Sequence, residues 1–274
     1  MTGSGFACLS DGGKIAYAVH GSAHAGTPIL LMRPLGGTMA LWGSYRAILA
    51  ETHRVVSFDP RGSGQSSSTP WVTTRALARD AVAVLDDLGV RQAHVFGISL
   101  GGMAATWLAI LAPSRVVRLC IASAPARGLE WSHAGLRREL SLAACLLRPE
   151  RDVEAALVRH ILSRPFRTAH ADAVRSIERI VRAQPSTRAA LVKHALAGAL
   201  HDARGQIAAI RAPSLVLAGE RDHLVGTEHV RALADAIPVS VFDVIAAAGH
   251  DITLEQPEAT AERLLRFLRG SPTG

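Results

Sequence analysis

The sequence predicts an α/β fold, a mostly parallel sheet with helices on both faces. Three observations carry this expectation. Strand-like and helix-like stretches alternate along most of the chain, as they do when parallel strands are joined by helical crossovers. Some strand candidates, such as "PILLM" (28–32), are continuous apolar runs, as expected where a strand is buried on both faces. The alternation fails over 125–205, where only helical patterns occur, so a helical insertion should interrupt the sheet order.

Each element has its own signal. "GKIAYAV" (13–19) alternates like a half-exposed strand, and "PILLM" follows it. Residues 38–50, "TMALWGSYRAILA", form a helical pattern, and "RVVSFD" (54–59) is the next strand. "TTRALARDAVAVLDDLG" (73–89) has apolar residues at helical spacing and Gly89 as its stop. "AHVFG" (93–97) is a strand, and the helix after it ends near Pro113. "VVRLCIAS" (116–123) is a strand. Four helical patterns then cover 135–147, 152–163, 171–184 and 186–200, punctuated by Pro149, Pro165 and Pro185. The sheet resumes with "SLVLAG" (214–219), a helix over 227–236, "VSVFDVI" (239–245) and a last helix over 256–269. The expected division is a core of 1–124 and 206–274 and a helical cap of 125–205.

Composition narrows the class. The chain has 274 residues, 49% hydrophobic and 19% charged, enough apolar content for a full core. The opening "MTGSGFACLSDGG" lacks a basic stretch followed by an apolar run, and no stretch approaches a bilayer span, so a cytoplasmic protein is expected. Cys8, Cys120 and Cys145 are odd in number and scattered, which predicts reduced core thiols rather than disulfides or a zinc site. The net charge is +7, and residues 125–205 hold fourteen basic and eight acidic side chains. These charges interleave at helical spacing without a nucleic-acid motif, so they read as solvated faces. A local field favouring an anionic substrate is the sharper alternative.

The chemistry-bearing stretch is "VFGISLGG" (95–102). Gly97-Ile98-Ser99-Leu100-Gly101 fits G-x-S-x-G, placed after a strand and opening a helix. A sharp turn there lifts Ser99 above the carboxyl edge of the sheet, and the flanking glycines leave room where backbones crowd. A serine hydroxyl needs an adjacent base and a group that orients the base. His250 follows "VFDVIAAAG" and precedes the last helix, so it belongs on a loop at the same edge. His133, His160, His170, His194 and His201 lie in the insertion at spacings that suggest surface positions. The acid should also follow a strand. Asp222 does so in "SLVLAGERD", with Glu220 as a rival nearer the strand, while Asp251 adjoins the base and would point wrongly.

The order Ser99, Asp222, His250 resembles the α/β-hydrolase superfamily along essentially the full chain. "DPRGSGQS" (59–66), "AGERDHLV" and "AAGHDITLEQPE" are similar to its D-x-R-G-x-G-x-S turn and to its acid and histidine segments. The resemblance implies a sheet of about eight strands with a helical cap. It also implies that Asp59 and Arg61 hold loops, and that the N–H groups of Leu35 and Leu100 form an oxyanion hole. Where many members carry His-Gly, this chain reads Arg33-Pro34-Leu35-Gly36-Gly37. That loop and "GISLGG" are most similar to 3-oxoadipate enol-lactonases, which act on a small anionic enol lactone.

The expected function is therefore cofactor-free and metal-free hydrolysis of a carboxylic ester or lactone, on a small anionic or polyketide-like substrate. Arg127, Arg137 and Arg138 are candidates to meet a carboxylate. Trp131, Trp42 and Trp71 could line the pocket or simply pack; Met103 and Trp107 are expected in the core. The expected partner is the small-molecule substrate, with no nucleic acid and no membrane, and a homodimer is allowed. The unusual loop keeps open a non-hydrolytic biosynthetic enzyme of this fold (acyl transfer, cyclisation, C–C cleavage or cofactor-free oxygenation), with a non-catalytic receptor as a third class.

Overall fold

The computed structural model describes residues 3–22, 26–129, 133–184 and 186–270. The chain begins with the strands β1 (Gly3–Cys8), β2 (Lys14–His20) and β3 (Ile29–Met32). A 3-10 turn over Met39–Trp42 leads into α1 (Gly43–Ala50), followed by β4 (Val55–Phe58) and α2 (Thr74–Asp87). Next come β5 (Ala93–Ile98), α3 (Leu100–Leu111) and β6 (Val116–Ala122). Five helices follow: α4 (His133–Leu146), α5 (Glu150–Ile161), α6 (Arg164–Ala169), α7 (Ala171–Ala183) and α8 (Arg188–Ala199). The chain closes with β7 (Ser214–Gly219), α9 (Thr227–Ala236), β8 (Ser240–Ile245), α10 (Ile252–Glu255) and α11 (Pro257–Arg269).

All eight strands join one sheet in the order β1-β2-β4-β3-β5-β6-β7-β8. The β1–β2 and β2–β4 pairs are antiparallel, and every pair from β4 to β8 is parallel. The apolar runs of β3 and β5 follow from burial on both faces. In β3, Leu30 and Met32 pack under α2 and α3, while Ile29 and Leu31 face α1 and α11. In β5, Val95 and Phe96 likewise point to opposite layers. Within the second layer Phe96 meets Trp42 edge-on and Tyr45 at a tilt, with centroids 5.9 and 5.2 Å apart.

This order fixes where a ligand can sit. The chain leaves β3 for β4 on one side, while β5 lies on the other. The loops after β3 and β5 therefore part at the carboxyl edge and open a crevice, the usual ligand site of open α/β sheets. Met32 and Gly97 are direct neighbours in the register, so the turns carrying Leu35 and Ser99 start side by side.

The five helices from α4 to α8 lie between β6 and β7, within the stretch where the sequence places an insertion. Its two stems are zipped together. Gly128 N–H donates to the His201 carbonyl at 2.9 Å, Leu129 N–H to Ala199 at 3.0 Å, and Ala203 N–H to Ala126 at 3.0 Å.

Several expectations are corrected. No strand is expected at Gly3–Cys8, because "GSGFAC" is poor in strand formers; pairing with β2 makes it one. The pattern at 38–50 splits into a 3-10 turn and α1, and Pro165 starts the additional short helix α6 rather than only ending a neighbour. Cys8 is exposed on β1, so only Cys120 is a core thiol and Cys145 is half-buried; all three are free. Among the described residues no helix is long and apolar enough to cross a membrane.

Candidate active site

Ser99 closes the turn from β5 into α3 with φ 54° and ψ −122°, a region that a side chain adopts at a cost of about 1–3 kcal/mol. Close backbone packing forces the bend. A Cβ on Gly97 would run into the Gly101 carbonyl, and one on Gly101 would run into the carbonyls of Met32 and Arg33. The Ser99 N–H donates to the Ala122 carbonyl of β6 at 2.9 Å, anchoring the turn to the sheet.

Two further loops bring their side chains to this serine. His250 follows β8, and its Nε2 lies 2.8 Å from Ser99 Oγ. Its Nδ1 lies 2.9 Å from Asp222 Oδ2. Asp222 sits just beyond β7, and its Oδ1 accepts N–H groups from Leu224 at 2.9 Å and Val225 at 3.1 Å. The carboxylate can only accept, so His250 Nδ1 must donate, which leaves Nε2 as the acceptor of the Ser99 hydroxyl. Burial works against the charge on Asp222. His250 beside it and the two N–H donors outweigh that, and its carboxyl is held below the usual carboxylate value. The rival acid Glu220 is otherwise engaged, accepting the Ala247 N–H at 2.7 Å.

The loop after β3 forms another wall. Arg33 is buried and donates to Asp251 Oδ2 at 2.8 Å, with its guanidinium 4.5 Å over the Trp42 ring. Burial lowers the Arg33 pKa below its ordinary value, with Asp251 pulling the other way. Asp251 therefore turns away from the base, as its position suggested, and joins this loop to the segment carrying His250. Among the described residues neither the Leu35 nor the Leu100 N–H has an acceptor; Leu100 opens α3, where no intrahelical acceptor exists. Asp59 accepts N–H groups from Met39 and Gln65, and Arg61 forms a paired contact with Asp80. Both hold loops.

Ser99 and His250 open into a cavity of about 140 Å³. Its walls are mostly apolar, with Leu35, Leu100 and Met103 from the core and Leu157, Val181 and Leu191 from the inserted helices. His160 and His194 also line it, and His194 and His201 are fully buried, contrary to the surface positions expected of them. Helical spacing carries the missed signal: His160 follows Val153 by seven residues and Leu157 by three, on the buried face of α5. Burial, then the neighbouring His223, His250 and Arg167, push the His160 pKa down to about 4, so its imidazole is neutral at pH 7.

The expected substrate contacts fare differently. Arg127 does not line the cavity; it forms a bridge with Asp202 in the stem of the insertion. Trp131 lies outside the described residues, and Arg137 and Arg138 fall on α4 with side chains outside the description. Trp42 is core and Trp71 is 81% exposed, so neither lines the cavity, whereas Met103 both packs in the core and forms its wall. The one cationic side chain on the described wall is Arg33, already paired with Asp251. Among the described residues no group of three or more His, Cys, Asp or Glu side chains is placed to hold a metal ion.

Comparison with known proteins agrees with this architecture. The family model of the alpha/beta hydrolase fold matches residues 27–257. "Putative carbamate hydrolase RutD" of Azorhizobium caulinodans is 34% identical over 259 residues, covering 92% of this chain and 93% of that protein. "3-oxoadipate enol-lactonase 1" of Acinetobacter baylyi is 29% identical over 261 residues, 94% of each chain. Among solved structures, a hydrolase from Pseudomonas aeruginosa superposes with a TM-score of 0.84 at 31% identity, covering 97% of this chain and 98% of that one. From strand order to loop placement, and in sequence over most of its length, the chain belongs to the α/β-hydrolase fold family.

Proposed function

We propose that this protein is a serine hydrolase that cleaves a carboxylic ester or lactone through an acyl-enzyme. The observation that carries the reading is the continuous relay from Ser99 Oγ through the His250 ring to Asp222, with spacings of 2.8 and 2.9 Å, opening into an apolar cavity. In this reading residues 125–205 act as a cap over the carboxyl edge.

The chemistry follows from the geometry. Ser99 Oγ attacks the carbonyl carbon as its proton passes to His250 Nε2. Asp222 fixes the ring and offsets the imidazolium charge that forms. The N–H groups of Leu35 and Leu100 receive the developing oxyanion, each such donor being worth about 3–4 kcal/mol. The imidazolium then returns the proton to the leaving alcohol, and water, activated by the same ring, releases the acid. Relatives named "3-oxoadipate enol-lactonase 1" and "Putative carbamate hydrolase RutD" support hydrolysis at an acyl carbonyl.

The described walls favour an uncharged acyl group. Among the described residues an anionic substrate would meet leucine, valine and methionine with Arg33 already committed, and an unpaired buried charge is expensive. We therefore expect p-nitrophenyl butyrate to be hydrolysed with kcat/KM at least about tenfold above the p-nitrophenyl monoester of succinate, a margin of about 1.4 kcal/mol. Equal or reversed rates would return the substrate to the anionic class. Inertness toward every ester and lactone, with Ser99 and His250 in place, would favour the non-hydrolytic reading.

A further inference from the structure

We propose that the inserted helices position the oxyanion-binding loop, with His194 of α8 and Ser186 just ahead of α8 gripping Gly36 from both sides. The proposal rests on the serine-hydrolase reading for its catalytic meaning. Gly36 directly follows Leu35, whose N–H is one of the two oxyanion donors in that reading. The Gly36 N–H donates to His194 Nδ1 at 3.3 Å. Its carbonyl accepts the Ser186 hydroxyl at 3.1 Å. Both polar groups of one loop residue are thus held by the insertion and not by the sheet that carries the loop.

The hydrogen-bond arithmetic allows only one arrangement of this grip. His194 is fully buried, and its Nε2 lies 2.9 Å from the Arg61 carbonyl. A carbonyl only accepts, so Nε2 must carry the proton, and Nδ1 is left as an acceptor for Gly36. Ser186 Oγ has a single proton and two neighbours, the Gly36 carbonyl and Ser63 Oγ at 2.9 Å. If it donates to Gly36, the buried Ser63 hydroxyl must donate to it. Arg61 and Ser63 both belong to the turn after β4 that Asp59 holds, so His194 and Ser186 bridge a rigid turn to the loop. Gly36 itself has φ 68°, and the space of a Cβ is taken by Leu191 Cδ2, also on α8. A side chain at this position would be strained by the backbone conformation and would have to displace the Leu191 side chain.

Seating of α8 thereby decides where Leu35 N–H points. Ser186 is not on the described cavity wall, and His194, which is, has both ring nitrogens engaged by Gly36 and Arg61, so both act as positioning residues through the loop. Their loss should disturb the transition state more than ground-state binding, because an oxyanion donor is most useful as the charge develops.

The test combines ester kinetics with amide hydrogen exchange over residues 33–37. Ser186→Ala removes the hydroxyl without opening a large void, and kcat is expected to fall by about tenfold with KM unchanged, while exchange at Gly36 rises. His194→Leu is expected to lower kcat and raise exchange at Gly36 likewise, while the KM criterion rests on Ser186→Ala because His194 also lines the cavity. His194→Asn, whose amide oxygen can still accept the Gly36 N–H, should recover part of the loss. Thr73→Ala is the control: it removes the N-terminal cap of α2, where Thr73 Oγ1 accepts the Ala76 N–H, on an element outside the insertion and away from Gly36. It should leave both kcat and exchange at Gly36 near wild type. Unchanged exchange in Ser186→Ala and His194→Leu would overturn the grip. Raised exchange with wild-type kcat, on an ester the wild type hydrolyses, would overturn its role in catalysis. A wild type that hydrolyses no ester or lactone would sink the serine-hydrolase reading instead, and exchange alone would then decide the grip.

Discussion

Replacing Asp222 by asparagine is expected to lower kcat by about 10⁴-fold while the folded structure persists. The reason lies in how the carboxylate is held. Its Oδ1 accepts two backbone N–H groups, from Leu224 and Val225, so in the variant the amide oxygen must take that side. The amide NH2 is then forced to face His250 Nδ1, which becomes an acceptor. The ring proton moves to Nε2, the nitrogen that must accept from Ser99, and the base is lost. Raising the pH would not restore it, because the tautomer and not the protonation state is wrong. Steady-state kinetics of Asp222→Asn across pH 6–9, with circular dichroism to verify folding, checks this. Retention of more than about a tenth of wild-type kcat would count against Asp222 as the orienting acid.

The second large effect concerns the buried ion pair of Arg33, which stands in the loop after β3, with Asp251. Asp251→Ala is expected to destabilise the protein by about 3–5 kcal/mol, because it strands the Arg33 guanidinium in a buried site. It also removes the acceptor of the Thr253 and Leu254 N–H groups that starts α10. Arg33→Met should cost less, since Asp251 keeps those donors and the Thr253 hydroxyl at 2.6 Å, and methionine fills much of the space beside Trp42. The double variant Arg33→Met/Asp251→Ala should be less destabilised than the sum of the two, by about 1–3 kcal/mol. Urea denaturation of the four proteins checks it. Strict additivity would mean that the pair contributes nothing beyond its separate parts.

The convergence of Ser99, His250 and Asp222 could be read in the sequence because it is governed by local chain geometry. A serine between glycines, after a β-run and before a helix, has few structural uses, and Asp222 and His250 each follow a strand of the same sheet. The residues that brace the site were not legible in the same way. Arg33 stood out only as a departure from a pattern; its meaning depends on Asp251, more than two hundred residues away, and no local rule connects them. The spacing of His194 suggests a surface position; the structure buries it, three residues after buried Leu191 on a helix that is apolar nearly all round and so marks its inner face poorly. Strand β1 was missed for a different reason. Its residues have weak strand preference, and pairing along β2 supplies what they lack. Substrate contacts were the least legible, since the inserted helices fix the cavity wall through their packing on one another and on the core.

The most direct test of the Ser99–His250–Asp222 relay is intact-protein mass spectrometry after exposure to an alkyl fluorophosphonate, comparing wild type with Ser99→Ala. The expected result is one adduct per wild-type chain, mapped by proteolysis to Ser99, and none on the variant. An undiminished adduct on Ser99→Ala, or a wild-type adduct mapped elsewhere, would contradict the assignment of Ser99 as the nucleophile.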